Sequence, residues 1–171
     1  MENKKTVFLT YTAMIAAIYV VLTFVFAPIS FGEVQIRIAE MLTVLPIFTP
    51  AAIPGLFVGC LIGNIMGGAV VPDMIFGSMA TLIGALGTYQ LRKTKALIAV
   101  IPPIAANICV VPFVLRYAYG ILLPIPFLMV TVGIGEMISC AVLGTVLSSV
   151  LKRYKNRIFA QYDIKRSGKI E

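Results

Sequence analysis

From Met41 to Pro72 the chain carries no charged residue, and two prolines four apart, Pro46 and Pro50, interrupt this stretch near its start. An apolar run of that length exceeds the roughly 20 residues of helix that cross a bilayer. Each proline removes a backbone donor and restricts the residue before it, so one continuous helix is disfavoured. The stretch therefore reads as a short helix over about 36–45, a tight turn, and a fuller helix over about 51–68. The rest of the chain follows the same pattern, with further apolar runs over roughly 6–28, 74–91, 96–115 and 124–152. Hydrophobic residues make up 60% of the 171 and charged residues 12%, too little polar surface for a soluble domain.

Net charge is +7, and its placement decides what it means. The basic residues cluster at Lys4 and Lys5; at Arg92, Lys93 and Lys95; and at Lys152, Arg153, Lys155 and Arg157. Short basic clusters between apolar runs mark cytoplasmic loops, so nucleic acid is the weaker account of the charge. If all three clusters are cytoplasmic, an even number of crossings separates each from the next, which requires the split at Pro46 and Pro50. The expected architecture is an all-α integral membrane protein, a compact bundle of six transmembrane helices over 1–153. Both termini are cytoplasmic, the outer loops fall at 28–35, 68–73 and 116–124, and a basic tail covers 154–171. The first run, Thr6 to Pro28, is longer than a signal-peptide core of about 7–15 residues and reads as a retained span.

Cys60, Cys109 and Cys140 sit singly in apolar runs and the chain has no His. Zinc and Cys–His chemistry therefore lack ligands, and the cysteines read as small packing residues. No metal or cofactor is expected in this chain. Gly55, Gly59, Gly63 and Gly67 recur every fourth residue and form a small-residue face for close helix packing, a theme continued by Ala80, Gly84 and Thr88. Ala13 and Ala17 make a further small pair on the first helix. It serves either packing within the chain or docking to another membrane protein.

Against this apolar background, polar residues at membrane depth stand out. Glu33, Arg37 and Glu40 share a face at α-helical spacing, with Gln35 nearby, so Arg37 can pair with either carboxylate. Arg37–Glu40 is either a structural ion pair or part of a site. Asp73, read as lying near the surface, follows Pro72 and fits an N-cap as well as a site residue. Asn64 and Asn107 can bridge helices or face a ligand. Glu136, near the middle of the last span, is costly without a partner or guest. Together these groups suit a small polar ligand rich in hydrogen-bond donors, entering from outside. The chain lacks a G-x-x-x-x-G-K-[ST] loop, so uphill movement would draw on a partner or an ion gradient. G-x-S-x-G and H-E-x-x-H are missing too.

Three stretches carry a resemblance. They are Ile29-Ser30-Phe31-Gly32-Glu33-Val34-Gln35-Ile36-Arg37-Ile38-Ala39-Glu40; then Leu45-Pro46-Ile47-Phe48-Thr49-Pro50-Ala51-Ala52-Ile53-Pro54-Gly55; then Gly59-Cys60 and Asn64, with Asp73 and Phe76-Gly77-Ser78. They resemble the QueT family, regarded as queuosine-precursor substrate-binding (S) components of energy-coupling factor (ECF) transporters. The resemblance implies capture of a 7-deazaguanine such as 7-aminomethyl-7-deazaguanine or queuine at a bacterial cytoplasmic membrane. It implies partners as well: a transmembrane coupling protein and two cytoplasmic ATPases that use the ATP. Ala13 and Ala17 then match the family group's Ala-x-x-x-Ala coupling motif. Glu136, Glu40, Glu33 and Asp73 become the candidate carboxylates, Gln35, Asn64 and Asn107 their amide partners, and Arg37 their neighbour. Phe31, Tyr117 or Tyr119 would stack on the base or form a lid. The alternatives are an S component for another vitamin or nucleobase, a small intramembrane enzyme using Glu136 and Asp73, or a solitary secondary carrier.

Overall fold

The computed structural model describes residues 4–30 and 36–158. The chain is an all-helical, multi-pass membrane protein with six principal helices. Helix α1 is Lys4–Val25, followed by a single turn, Ala27–Ser30. Helix α2 is Ile38–Ile47, α3 is Ala52–Met66 and α4 is Val71–Gln90. Helix α5 is Ala96–Tyr117, with a break at Val100. Helix α6 is built from an α-helical segment Ile125–Glu136, a π-helical turn Met137–Leu143 and an α-helical segment Gly144–Ile158. It continues into the basic tail, to Ile158.

Four of these helices, α1, α4, α5 and α6, are long and apolar enough to cross a membrane, while α2 and α3 are shorter. The outer surface carries Leu9, Val21, Phe24, Ile83, Val130 and Val146 in the open. Lipid tolerates such an exterior and water does not.

Helix α2 is wound as a 3-10 helix rather than the α-helix its sequence suggested. Two features favour this. Pro46 has no N–H to give to an α-helical ladder, and the ends close with i→i+3 bonds, Glu40 N–H to Arg37 O at 2.9 Å and Phe48 N–H to Leu45 O at 2.9 Å. A 3-10 helix rises about 2 Å per residue, so ten residues reach about 20 Å, further than the same residues in an α-helix. The segment lies in the middle of the bundle, touching each of the other five helices, and Ala39, Glu40, Leu42, Thr43, Val44, Leu45 and Pro46 are buried.

The glycines of α3 bring α1 to near-backbone contact. A Cβ on Gly55 would lie 2.9 Å from Thr12 O, one on Gly59 2.8 Å from Tyr19 Cβ, and one on Gly63 3.3 Å from Thr23 Oγ1. This packing lies within the chain. Gly67 does not belong to it: it is exposed and ends the helix, its N–H bonding Gly63 O at 2.8 Å. On α4, Gly84 and Gly87 meet Pro103 and Pro102 of α5 in the same manner. Helix α1 buries only Ile15, Ala16, Tyr19 and Thr23, and Ala13 and Ala17 stand exposed on its other side.

Overpacking at the α1–α3 contact costs about 1–3 kcal/mol. Gly59→Val should lower the melting temperature of the detergent-solubilised protein clearly. Gly67→Ala, at φ −74° on the exposed end, should leave it within about 1 °C of wild type.

Candidate functional site

The 3-10 winding of α2 settles which residues meet. In a helix of three residues per turn, i and i+3 eclipse. Glu40 and Thr43 therefore stand in one line, with Arg37 just before it at the extended N-cap. Two polar tiers grow from that line.

The inner tier centres on Glu40, which is fully buried. Tyr19 of α1 donates its hydroxyl to Glu40 Oε1 at 2.5 Å, and Thr81 of α4 donates to the same oxygen at 3.3 Å. Glu40 Oε2 has no hydrogen-bond partner. Across from it, Glu136 is 4% exposed at the end of the first segment of α6. It accepts a bond from the Cys140 thiol at 3.2 Å and one from the Asn107 side chain of α5. Thr43 closes the group by donating to Glu40 O at 2.6 Å and reaching Cys140 Sγ at 3.4 Å. One ligand atom each from Glu40, Glu136 and Cys140 lies within 4.8 Å of the others. Two carboxylates this close in a low-dielectric bundle repel when both are ionised.

The outer tier centres on Asp73. Arg37 Nη2 bonds Asp73 Oδ2 at 3.1 Å, so the ion pair found among the described residues joins Arg37 to Asp73 and not to Glu40. Tyr119, in the loop between α5 and α6, donates to the same oxygen at 3.0 Å. Asp73, in the first turn of α4, is 1% exposed and so is enclosed by the protein. It does not cap α4: the N-cap is Val70 and has no side-chain bond. Its carboxylate is drawn inward by Arg37 instead. Asn64 Nδ2 donates to Asp73 O at 3.3 Å, so it ties α3 to α4 and is not aimed at the Glu40–Glu136 pair.

The structure thus gathers Glu40, Glu136 and Asn107 in one group and Arg37, Asp73 and Asn64 in another. Phe31, Glu33 and Gln35 lie outside the described residues. Tyr19, Thr43, Thr81 and Cys140 join the site without any mark in the sequence. In particular, Cys140 is a bonded member of the inner tier rather than neutral packing, while Cys109 is exposed. The π-helical turn in which Cys140 sits is the kind of local irregularity that recurs at functional sites.

Residues 9–153 match the family described as QueT transporter. The chain belongs to the QueT transporter family. The matched range takes in every helix of this QueT family member except the ends of α1 and α6, and both polar tiers lie inside it. A curated relative, the queuosine precursor transporter QueT of Lactococcus lactis subsp. cremoris (strain MG1363), is 35% identical over 85 residues. That alignment covers 48% of this chain and 50% of the relative, so the chain spans about half the length of the relative it matches. No solved structure matches it.

Tyr119 lies beyond the end of α5, where partial burial, then the charge of Asp73 and the hydrogen bond to it, push the phenol up to about 12 from the usual 10.0. Because the folded-state value is the higher one, the Tyr119–Asp73 bond contributes its full stabilisation below pH 10. That contribution is lost as pH rises through about 12. Absorbance titration should therefore show one phenol ionising near pH 12 in the folded wild type and missing from Tyr119→Phe.

Proposed function

We propose that this chain is the substrate-binding component of an ECF-type importer, capturing a queuosine precursor of the 7-deazaguanine class from outside. Delivery then passes through a transmembrane coupling protein driven by two cytoplasmic ATPases, which use the ATP; this chain itself carries no cofactor. The membership in a transporter family and the printed name of the Lactococcus relative support the transport reading.

One observation carries the ligand side of the proposal. Two buried carboxylates and a thiol converge within 4.8 Å, neither carboxylate has a salt-bridge partner among the described residues, and one Glu40 oxygen is unbonded. A buried acceptor without a donor costs about 1–3 kcal/mol, more when charged. A guanine-like edge presents adjacent N–H donors that such acceptors take in parallel, with charge-assisted bonds of about 1.5–3 kcal/mol each. Asn107 holds Glu136, and Tyr19 with Thr81 holds the other oxygen of Glu40, so the acceptors are oriented before the guest arrives.

Two features support the remaining parts. The basic clusters at Lys4–Lys5, Arg92–Lys95 and Lys152–Arg157 support a reading with both ends of the bundle in the cytoplasm, under the positive-inside rule. The exposed Ala13 and Ala17, on the least buried of the four long apolar helices, provide a smooth face for the coupling protein.

Calorimetry on the purified chain without ATP should show binding of 7-aminomethyl-7-deazaguanine or queuine. Glu40→Gln and Glu136→Gln should each weaken it about 10- to 100-fold. Heat only with other vitamins or bases in a competition panel would move the ligand assignment, and no heat with any of them would remove the reading. For coupling, Ala13→Trp and Ala17→Trp should abolish cellular uptake while leaving the measured Kd unchanged; normal uptake in both would place the docking face elsewhere.

A further inference from the structure

Helices α4 and α5 are pinned together at one end and part at the other. Gly84 and Gly87 set α4 against Pro103 and Pro102 of α5 with no side chain between them. Toward the end of the bundle that carries Asp73, bulky rings take the place of glycines, Phe76 on α4 and Phe113 and Tyr117 on α5. There a cleft of about 400 Å³ opens between the two helices. Val114 is buried in it, while Phe76, Phe113 and Tyr117 are 56%, 47% and 76% exposed on its walls. Its only polar side-chain groups are the Cys109 thiol and the Tyr117 hydroxyl. A guanine-like base would leave its donors unmet here, so the cleft does not suit the guest assigned to Glu40 and Glu136.

We propose that this cleft seats one acyl chain of a phospholipid whose anionic headgroup rests on Arg116. Length, depth and charge each support that occupant. From Cys109 to Ala118 the cleft follows about 14 Å of helix, and one leaflet of a hydrocarbon core about 30 Å thick is about 15 Å deep. Tyr117, in the last turn of α5, is the kind of ring that lies at headgroup level. The mouth of the cleft therefore opens where lipid phosphates lie, and Cys109 marks its deep end. Arg116 stands one turn beyond Phe113, as its i+3 neighbour on α5. Its Nη1 donates to Ile121 O at 3.3 Å and to Leu123 O at 3.4 Å, bonds that orient the guanidinium without neutralising it. No carboxylate among the described residues forms an ion pair with it, whereas Arg37 at the same end has Asp73. A planar guanidinium with five donors suits a phosphodiester. A helix of a partner protein is the competing occupant. The walls argue against it, because helices that approach closely in lipid do so over small residues and not over a pair of phenylalanines.

The chain has no Trp, so a single introduced indole reports one place on it. The full chain carrying Phe113→Trp, in the cleft wall, or Phe24→Trp, on the exposed side of α1, is reconstituted in phosphatidylcholine bilayers. Acyl-brominated phosphatidylglycerol or acyl-brominated phosphatidylcholine is then added as quencher. Phe113→Trp should reach half-quenching at about 5-fold less brominated phosphatidylglycerol than brominated phosphatidylcholine, the order expected for one cation at an anionic headgroup. Phe24→Trp should respond to the two lipids alike. Added to Phe113→Trp, Arg116→Gln should erase the difference and Arg116→Lys should keep most of it, since lysine restores the charge without the forked bonds to the loop. Should Phe113→Trp fail to fold, Phe76→Trp on the opposite wall gives the same readout. Equal quenching of the cleft indole by both lipids overturns the proposal, because bulk lipid then merely bathes the cleft. Loss of the preference in Arg116→Lys as well as in Arg116→Gln overturns it in favour of loop geometry. A cleft indole that neither lipid quenches, beside a quenched Phe24→Trp, overturns it in favour of a protein segment as the occupant. None of these outcomes bears on guest binding at Glu40 and Glu136, which calorimetry decides separately.

Discussion

The carboxylate of Glu40, fully buried at the centre of a bundle whose exterior is apolar, is the group around which the helices are arranged. Lipid offers no water to such a group, so every oxygen must be answered from within the protein or by a guest. The answer to one oxygen comes from two helices, α1 through Tyr19 and α4 through Thr81. The other oxygen has no hydrogen-bond partner. Helix α2 is the element that makes this possible. Its tighter winding extends a ten-residue segment through the core and aligns Glu40 with Thr43, so a segment too short for an α-helical crossing becomes the axis of the site.

Much of the architecture was legible because lipid imposes a simple code. Long uncharged runs, basic clusters between them and the Pro46–Pro50 interruption were enough to read an all-helical bundle with six principal helices. The site was legible only as a set of residue types. Glu40, Glu136 and Asn107 stood out because polar groups are expensive at depth, and they do meet. The Arg37–Glu40 ion pair that the sequence offered is not formed. Side-chain alignment was judged at 3.6 residues per turn, whereas α2 turns every three and Arg37, extended at its N-cap, pairs with Asp73. Tyr19, Thr43, Thr81 and Cys140 are small or aromatic residues common in any apolar helix. Their roles arise from contacts between segments 21 to 100 residues apart, which no local pattern encodes. Gly67 shows the converse: its spacing matched the packing stripe, but it falls past the helix end, where spacing no longer specifies a face.

The two polar tiers divide the work of charge. The outer tier satisfies a cation and an anion against each other and ties the start of α2, the start of α4 and the α5–α6 loop at a single carboxylate. The inner tier keeps its acceptors oriented but incompletely matched. Each tier still leaves one carboxylate oxygen without a hydrogen bond, Asp73 Oδ1 in the outer and Glu40 Oε2 in the inner.

The glycine track on α3 has a mechanical consequence. Because Gly55, Gly59 and Gly63 leave no side chains to interlock, α1 rests on a smooth rail, and the same α1 turn that sits over Gly59 carries the Tyr19 phenol. A small slide of this peripheral helix would tug a proton donor away from the acid at the heart of the bundle. Pressure on the exposed side of α1 would thereby be felt at Glu40.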